Sequence, residues 1–285
     1  MRTRILFGGM MLLALAALLW LDHRLEQGQV RLVGAPLGAA AALLLAVGYL
    51  ELSRLAGGAG LPVPGGCGLV LTLAVGLLPF WRQWLPGGVG MSENLVLITL
   101  AGAAALAFLC QMACHRTDQA IRRLAGTLLA VAYLGVLGAC LLAIRVRFGV
   151  PALVLFLAGV KFADIGAYFT GCFFGRHKLI PWLSPGKTWE GLVGGLIVAA
   201  GVTMLLDWLL AGRGNLIMSI GSAGLLGLAL GAAGQFGDLC ESLMKRDAKV
   251  KDSGALVPRF GGVLDIMDSP LMAAPVGYLL LAVLR

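Results

Sequence analysis

Charge is scarce in this sequence. Asp, Glu, Lys and Arg make up 13% of its 285 residues, about half the ~25% of an ordinary soluble domain. That excludes a conventional water-soluble globule. Histidine is almost missing, at three residues, and the six cysteines are scattered through apolar stretches. Cys110, Cys114 and His115 fall close together but have no second ligand pair, so a zinc site is set aside. Most of the cysteines read as small buried hydrophobes. No internal repeat, low-complexity tract or Pro-rich linker marks off a separate soluble domain. Acidic residues number 14 against 22 basic ones, a net charge of +8. In an apolar chain that excess points to cytoplasmic loops and anionic lipid headgroups, and away from nucleic acid.

Hydrophobic residues take up 59% of the chain and Gly contributes 42 positions; mean hydropathy is +0.92. Apolar runs recur near 5–21, 33–50, 61–80, 94–113, 124–144, 150–172, 190–210, 216–236 and 263–284. Each matches a ~30 Å hydrocarbon core at a rise of ~1.5 Å per residue. Arg2 and Arg4 precede a first run with no small-residue cleavage site behind it, which reads as a retained helix. The fold expected is all-α: a polytopic transmembrane helical bundle of about nine spans, with its N-terminus cytoplasmic. That orientation puts about twice as many Lys and Arg on the cytoplasmic side as outside. Residues 1–145, whose charges fall outside the expected spans, read as N-terminal transmembrane scaffold helices. Residues 146–285 read as a catalytic region with a polar cavity facing the cytoplasm.

Polar chemistry gathers in the second half. Between 234 and 269 lie Asp238, Glu241, Lys245, Arg246, Asp247, Lys249, Lys251, Asp252, Arg259, Asp265 and Asp268. So dense a charged segment needs water, a metal or a charged ligand. Asp238, Glu241, Ser242 and Lys245 stand at i, i+3, i+4 and i+7, one helical face. Gly254 and Pro258 break that pattern, and Gly261-Gly262 opens a second helix that shows Asp265 and Asp268 on one side. Carboxylates from two helix ends beside a Lys/Arg cluster suit a hard cation and a polyphosphate.

Two further places fit that chemistry. Lys161 and Asp164 interrupt an apolar span at i, i+3, where each costs roughly 2.5–3.5 kcal/mol at a helix centre. They either neutralise one another or line the same cavity as Asp238. In the 173–189 loop, Ser184-Pro185-Gly186 reads as a turn, and Thr188 and Glu190 help start the next helix. Gly186-Lys187-Thr188 is not a nucleotide-binding P-loop, because Pro181 stands where its first Gly belongs. Lys187 and Ser184 at a helix N-terminus are still a seat for phosphate.

The strings S-P-G-K-T-W-E-G at 184–191, G-D-L-C-E-S-L-M-K-R at 237–246, K-D at 251–252 and G-G-V-L-D-I-M-D-S at 261–269 together resemble the phosphatidate cytidylyltransferases, the CDP-diacylglycerol synthases. The resemblance implies a multi-pass enzyme of the cell inner membrane whose active site faces the cytoplasm. Such an enzyme joins CTP and phosphatidic acid into CDP-diacylglycerol and releases pyrophosphate. It also implies dependence on a divalent metal, Mg²⁺ with room for a second cation, and a homodimer. On the family's pattern, Asp238, Asp265 and Asp268 match its metal-site aspartates. Ser184, Lys187, Lys245, Arg246, Lys251 and Asp252 match its other motif positions. The expected catalytic set is therefore Asp238, Asp265, Asp268 and Lys245. Substrate binding is expected from Ser184, Lys187, Arg246, Lys251, Asp252, Arg259, Asp164 and Lys161.

Two positions depart from the pattern. Phe260 replaces the family's His before Gly-Gly, and Ile266 replaces the Arg after the first aspartate of the last motif. Arg259 can restore one lost positive charge. These changes keep in view a silent or substrate-shifted paralogue. A transporter with Lys161, Asp164 and Asp238 on an ion path is the rival of another class, but it requires charge spread through the membrane depth, and here charge clusters at one face.

Overall fold

The computed structural model describes residues 2–27, 34–84, 93–211, 218–256 and 261–284. Helix dominates. α1 spans Arg2–Gln27, α2 Ala35–Gly58, α3 Gly65–Gly76, α4 Leu78–Trp81 and α5 Glu93–Cys110, followed by a wide turn over Gln111–His115. α6 spans Ala120–Ala130, a second wide turn covers Val131–Val136, and α7 runs over Leu137–Phe174. Then come the strands β1 (Lys178–Ile180) and β2 (Ser184–Thr188), and the helices α8 (Trp189–Ala211), α9 (Ile220–Asp247) and α10 (Leu264–Leu284).

Among the described residues, six helical stretches are long and apolar enough to cross a membrane: Ala35–Gly58, Leu97–His115, Ala120–Phe174, Trp189–Leu210, Ile220–Asp247 and Leu264–Leu284. Large apolar side chains stand on their outer faces, as lipid contact requires, among them Ile98, Ile197, Leu279 and Val283. The fold is thus the all-α, polytopic one expected, with one short hairpin added among the described residues. The expected 61–80 run is not one continuous helix. It divides into α3 and the single turn of α4, because Leu77 leaves helical geometry and Pro79 starts the next turn. The 55-residue stretch 120–174 is broken at Gly149, whose φ of 84° and ψ of 178° only glycine adopts readily, just before Pro151.

The chain forms two compact units. The first takes Met1–Arg147 and Ala248–Asp265. Its interior holds Leu45, Tyr49 and Leu52 of α2, Leu71 and Val75 of α3, and Leu134 of the wide turn. Tyr49 donates its hydroxyl to the Pro64 carbonyl at 2.5 Å, fixing the entry to α3. Gln111 donates to the Arg116 and Asp118 carbonyls, both at 3.1 Å, and so closes the turn before α6. Two features correct the expectations. Cys67 and Cys110 are joined in a disulfide, Cα atoms 6.5 Å apart, so they are not free apolar fillers. Charge also enters the interior of the first half: Asp22 and Arg145 form a fully buried pair at 2.5 Å, and Glu51 is buried within α2.

The second unit takes Phe148–Asp247 and Ile266–Arg285. Here glycine and alanine let the helices approach backbone to backbone, the small-residue packing that membrane helices use. A Cβ at Gly227 would stand 2.6 Å from the Ala199 carbonyl, locking α9 to α8, and one at Gly195 2.6 Å from the Ala163 carbonyl, locking α8 to α7. The 173–189 segment is a β-hairpin and not the turn expected at Ser184-Pro185-Gly186. β1 and β2 pair antiparallel, Lys178 opposite Thr188 and Ile180 opposite Ser184. Pro185 is tolerated because the sheet has two strands only, and both are edges. Thr188 then caps α8, its Oγ1 accepting from Gly191 N at 3.1 Å. Glu190 fastens the hairpin's base, accepting from the backbone of Arg176 and His177 and from His177 Nδ1 at 2.6 Å.

Candidate metal and phosphate site

The site is built in the second unit, where α9 meets α10. Gly237 makes the meeting possible: a Cβ there would fall 2.6 Å from the Asp268 carbonyl and 2.9 Å from Met272 Cβ. With the backbones this close, Asp238 and Glu241 of α9 come beside Asp268 of α10. Carboxylate oxygens of these three residues all lie within 4.8 Å of one another. Glu241 and Asp268 are buried, 0% and 4% exposed, and Asp238 is 36% exposed at its side chain, giving the group one open side.

Two lysines answer the carboxylates. Lys187 on β2 donates to Asp238 Oδ2 at 2.6 Å, and Lys245, one turn along α9, donates to Glu241 Oε2 at 2.9 Å. A network continues from Lys187. It donates to Gln235 Oε1 at 2.9 Å and to the Gln235 carbonyl at 3.2 Å. Gln235 Nε2 donates to Asp164 Oδ1 at 3.0 Å. Lys161 stands 3.9 Å from Asp164 and donates to the Ile266 carbonyl at 3.0 Å. The intramembrane pair is therefore both internally neutral and wired to the hairpin lysine.

Three ionised carboxylates against two ammonium groups leave one negative charge. Each carboxylate pair at the 4.8 Å limit repels by about 3 kcal/mol at an effective dielectric of ~20. Oxygens on opposite sides of a Mg²⁺ ion lie about 4.2 Å apart, and around Ca²⁺ about 5 Å. The donor set, all oxygen and net negative, fits a hard divalent cation in both spacing and chemistry.

Asp265 opens α10 in the first unit and is engaged differently. Its Oδ2 accepts from Ser253 N at 2.9 Å, Ser253 Oγ at 2.7 Å and Gly262 N at 2.7 Å. Gly261, at φ 92°, supplies the left-handed bend that this arrangement requires. Lys251 and Asp252 are exposed on the same loop, and Arg246 is exposed at the end of α9. Ser184 sits half-buried in β2. Arg259 and Phe260 lie outside the described residues.

Thus Asp238, Asp268, Lys187, Lys245, Asp164 and Lys161 are linked in the second unit, while Asp265, Lys251 and Asp252 belong to the loop and helix start of the first. Sequence reasoning placed Glu241 on the Asp238 face without naming it as a ligand. It passed over Gln235 altogether, although Gln235 precedes Asp238 by three residues and so shares its face.

The whole chain matches a single family model. Residues 2–284 fit the cytidylyltransferase family, and the chain belongs to it. Curated relatives agree. The chain is 45% identical over 117 residues to a phosphatidate cytidylyltransferase of Haemophilus influenzae, covering 40% of this chain and 39% of that one. It is 42% identical over 132 residues to a phosphatidate cytidylyltransferase of Brucella suis, covering 46% and 47%. A chloroplastic phosphatidate cytidylyltransferase of Arabidopsis thaliana is 39% identical over 130 residues, covering 46% and 31%. The matched segments span less than half the length of these relatives.

Proposed function

We propose that this chain is a phosphatidate cytidylyltransferase of the cell inner membrane, transferring CMP from CTP to phosphatidic acid to give CDP-diacylglycerol. A phosphate oxygen of phosphatidic acid attacks the α-phosphorus of CTP. The bond from that phosphorus to the β-phosphate oxygen breaks, and pyrophosphate leaves with its electron pair. The attacking oxygen is already anionic at neutral pH, so no strong general base is needed. The observation that carries this reading is the three-carboxylate group of Asp238, Glu241 and Asp268 beside Lys187 and Lys245. Family membership and the names of the relatives point to the same chemistry.

Asp238, Glu241 and Asp268 are the residues that would hold Mg²⁺. When bound, the cation lowers the repulsion between the two reacting anions and offsets the charge that develops on the phosphates. Lys245 and Arg246 on α9 hold the triphosphate and the departing pyrophosphate by charge-assisted hydrogen bonds, and Lys251 offers a further positive charge for substrate phosphate. Lys187 and Ser184 of the hairpin hold a further phosphate, with Gln235, Asp164 and Lys161 fixing the Lys187 ammonium. Asp265 and Asp252 shape the loop that bears Lys251. Residues 1–145 serve as scaffold and 146–285 as the catalytic region. We further propose about nine membrane passes, a cytoplasmic N-terminus and active site, and a homodimer.

Detergent-purified protein incubated with labelled CTP, phosphatidic acid and Mg²⁺ should yield a labelled liponucleotide. Absence of product from folded protein, across Mg²⁺, Mn²⁺ and Ca²⁺, would end the proposal and leave a binding or substrate-shifted paralogue.

A further inference from the structure

Glu51 is 1% exposed, within the C-terminal half of an apolar helix. A carboxylate so placed is costly unless its oxygens are satisfied. Its hydrogen-bond partners come from the polar segment some two hundred residues later. Oε1 accepts from Val263 N at 3.1 Å, and Oε2 accepts from Leu264 N at 2.8 Å and Ser253 Oγ at 3.3 Å. Val263 and Leu264 open α10, so Glu51 sits on the positive end of that helix. The Ser253 hydroxyl is shared with Asp265 Oδ2 at 2.7 Å, which ties both carboxylates to one loop.

The segment is shaped to admit this side chain. A Cβ at Gly254 would lie 2.5 Å from Glu51 Oε1, and one at Gly262 would collide with both Glu51 Oε2 and Ser253 Oγ. The seat at the α10 N-terminus, where a substrate phosphate could otherwise sit, is filled from inside the protein.

We propose that Glu51 is a positioning residue for the reaction, resting on the function proposed above. It holds the first turn of α10 and the loop before it. Asp268 stands on the same helix, one turn beyond the capped residues, and its carboxylate belongs to the cation-binding group. Releasing the first turn lets the helix start fray, and Asp268 loses its fixed place.

The test compares wild type with Glu51→Gln, which keeps the shape but turns an N–H toward backbone donors, and with Ser253→Ala, which removes only the shared hydroxyl. Three readings are taken on detergent-purified protein: Mn²⁺ affinity by electron paramagnetic resonance, hydrogen exchange of peptides covering 252–264, and kcat with KM for liponucleotide synthesis. Glu51→Gln should raise exchange in that segment and weaken Mn²⁺ binding about 10–100-fold, the usual effect of losing an outer partner of a metal ligand. It should lower kcat while leaving KM for phosphatidic acid within about twofold, since catalytic geometry and not lipid binding is lost. Ser253→Ala should move the same readings the same way by a smaller factor, and decides the matter if Glu51→Gln fails to fold. Unchanged Mn²⁺ affinity in the folded variants, with or without faster exchange, makes Glu51 a helix cap alone and overturns the proposal. Should wild type make no liponucleotide, the function proposal falls, while the Mn²⁺ and exchange arms still judge Glu51.

Discussion

Gly237→Ala probes the helix contact on which the carboxylate group depends. The added methyl would stand 2.6 Å from the Asp268 carbonyl oxygen, 2.9 Å from Met272 Cβ and 3.1 Å from Ser269 Cα. Comfortable contacts between such atoms are about 3.5 Å, so α9 and α10 must part by roughly 0.5–1 Å at this level. None of the three is the free end of a flexible side chain, so the backbones themselves have to give. Overpacking of this kind costs about 1–3 kcal/mol of stability. The larger effect is on geometry, because a displacement near 1 Å in a catalytic arrangement can lower the rate about 100-fold. Gly221→Ala, on the same helix with nothing within 4 Å, is the matched control and should be neutral or slightly stabilising. The assay is liponucleotide formation from labelled CTP, read beside Mn²⁺ affinity and melting temperature. If Gly237→Ala keeps activity and Mn²⁺ affinity within about threefold of the Gly221→Ala control, the close approach does not set the site, and the reasoning fails.

Other outcomes follow from the same geometry. Asp238→Asn, Glu241→Gln and Asp268→Asn should each weaken Mn²⁺ binding by at least the roughly 10–100-fold that loss of a ligand's outer partner costs; normal affinity in Glu241→Gln would remove that residue from the group. Lys187→Met should raise the KM for CTP or phosphatidic acid about tenfold or more through the loss of a charge-assisted contact, and Gln235→Leu should shift the same constant in the same direction, an unchanged KM separating Gln235 from Lys187. Asp22→Ala leaves the Arg145 guanidinium buried without this partner and should cost about 3–5 kcal/mol, seen as a lower melting temperature that Asp22→Ala/Arg145→Leu largely recovers.

How much of this could be read from the chain depended on distance along it. The Asp238–Glu241–Lys245 stripe was legible because helical periodicity alone puts the three on one face, and Lys245 does meet Glu241. The membrane character was legible from hydropathy. The hairpin was hidden, since Ser184-Pro185-Gly186 carries turn residues and only its pairing with Lys178–Ile180 makes it a strand. Gln235 was hidden because a neutral amide in a Gly-rich helix gives no charge signal. Glu51 stood at the edge of an expected span, and nothing local tells that its partners are Val263 and Leu264. The Cys67–Cys110 pairing likewise depends on how α3 and α5 meet, which spacing in the chain does not encode.

The break at Gly149 has a bearing on biogenesis. As one rod, the helical run over 120–174 would extend about 80 Å, far past the ~30 Å that lipid can cover. Its hydrophobicity already lapses at Arg145 and Arg147. Gly149 and Pro151 break the backbone at the same place, dividing the run into two segments that are each long enough for one crossing. A residue with no side chain at all thereby helps to decide how the chain is threaded into its bilayer.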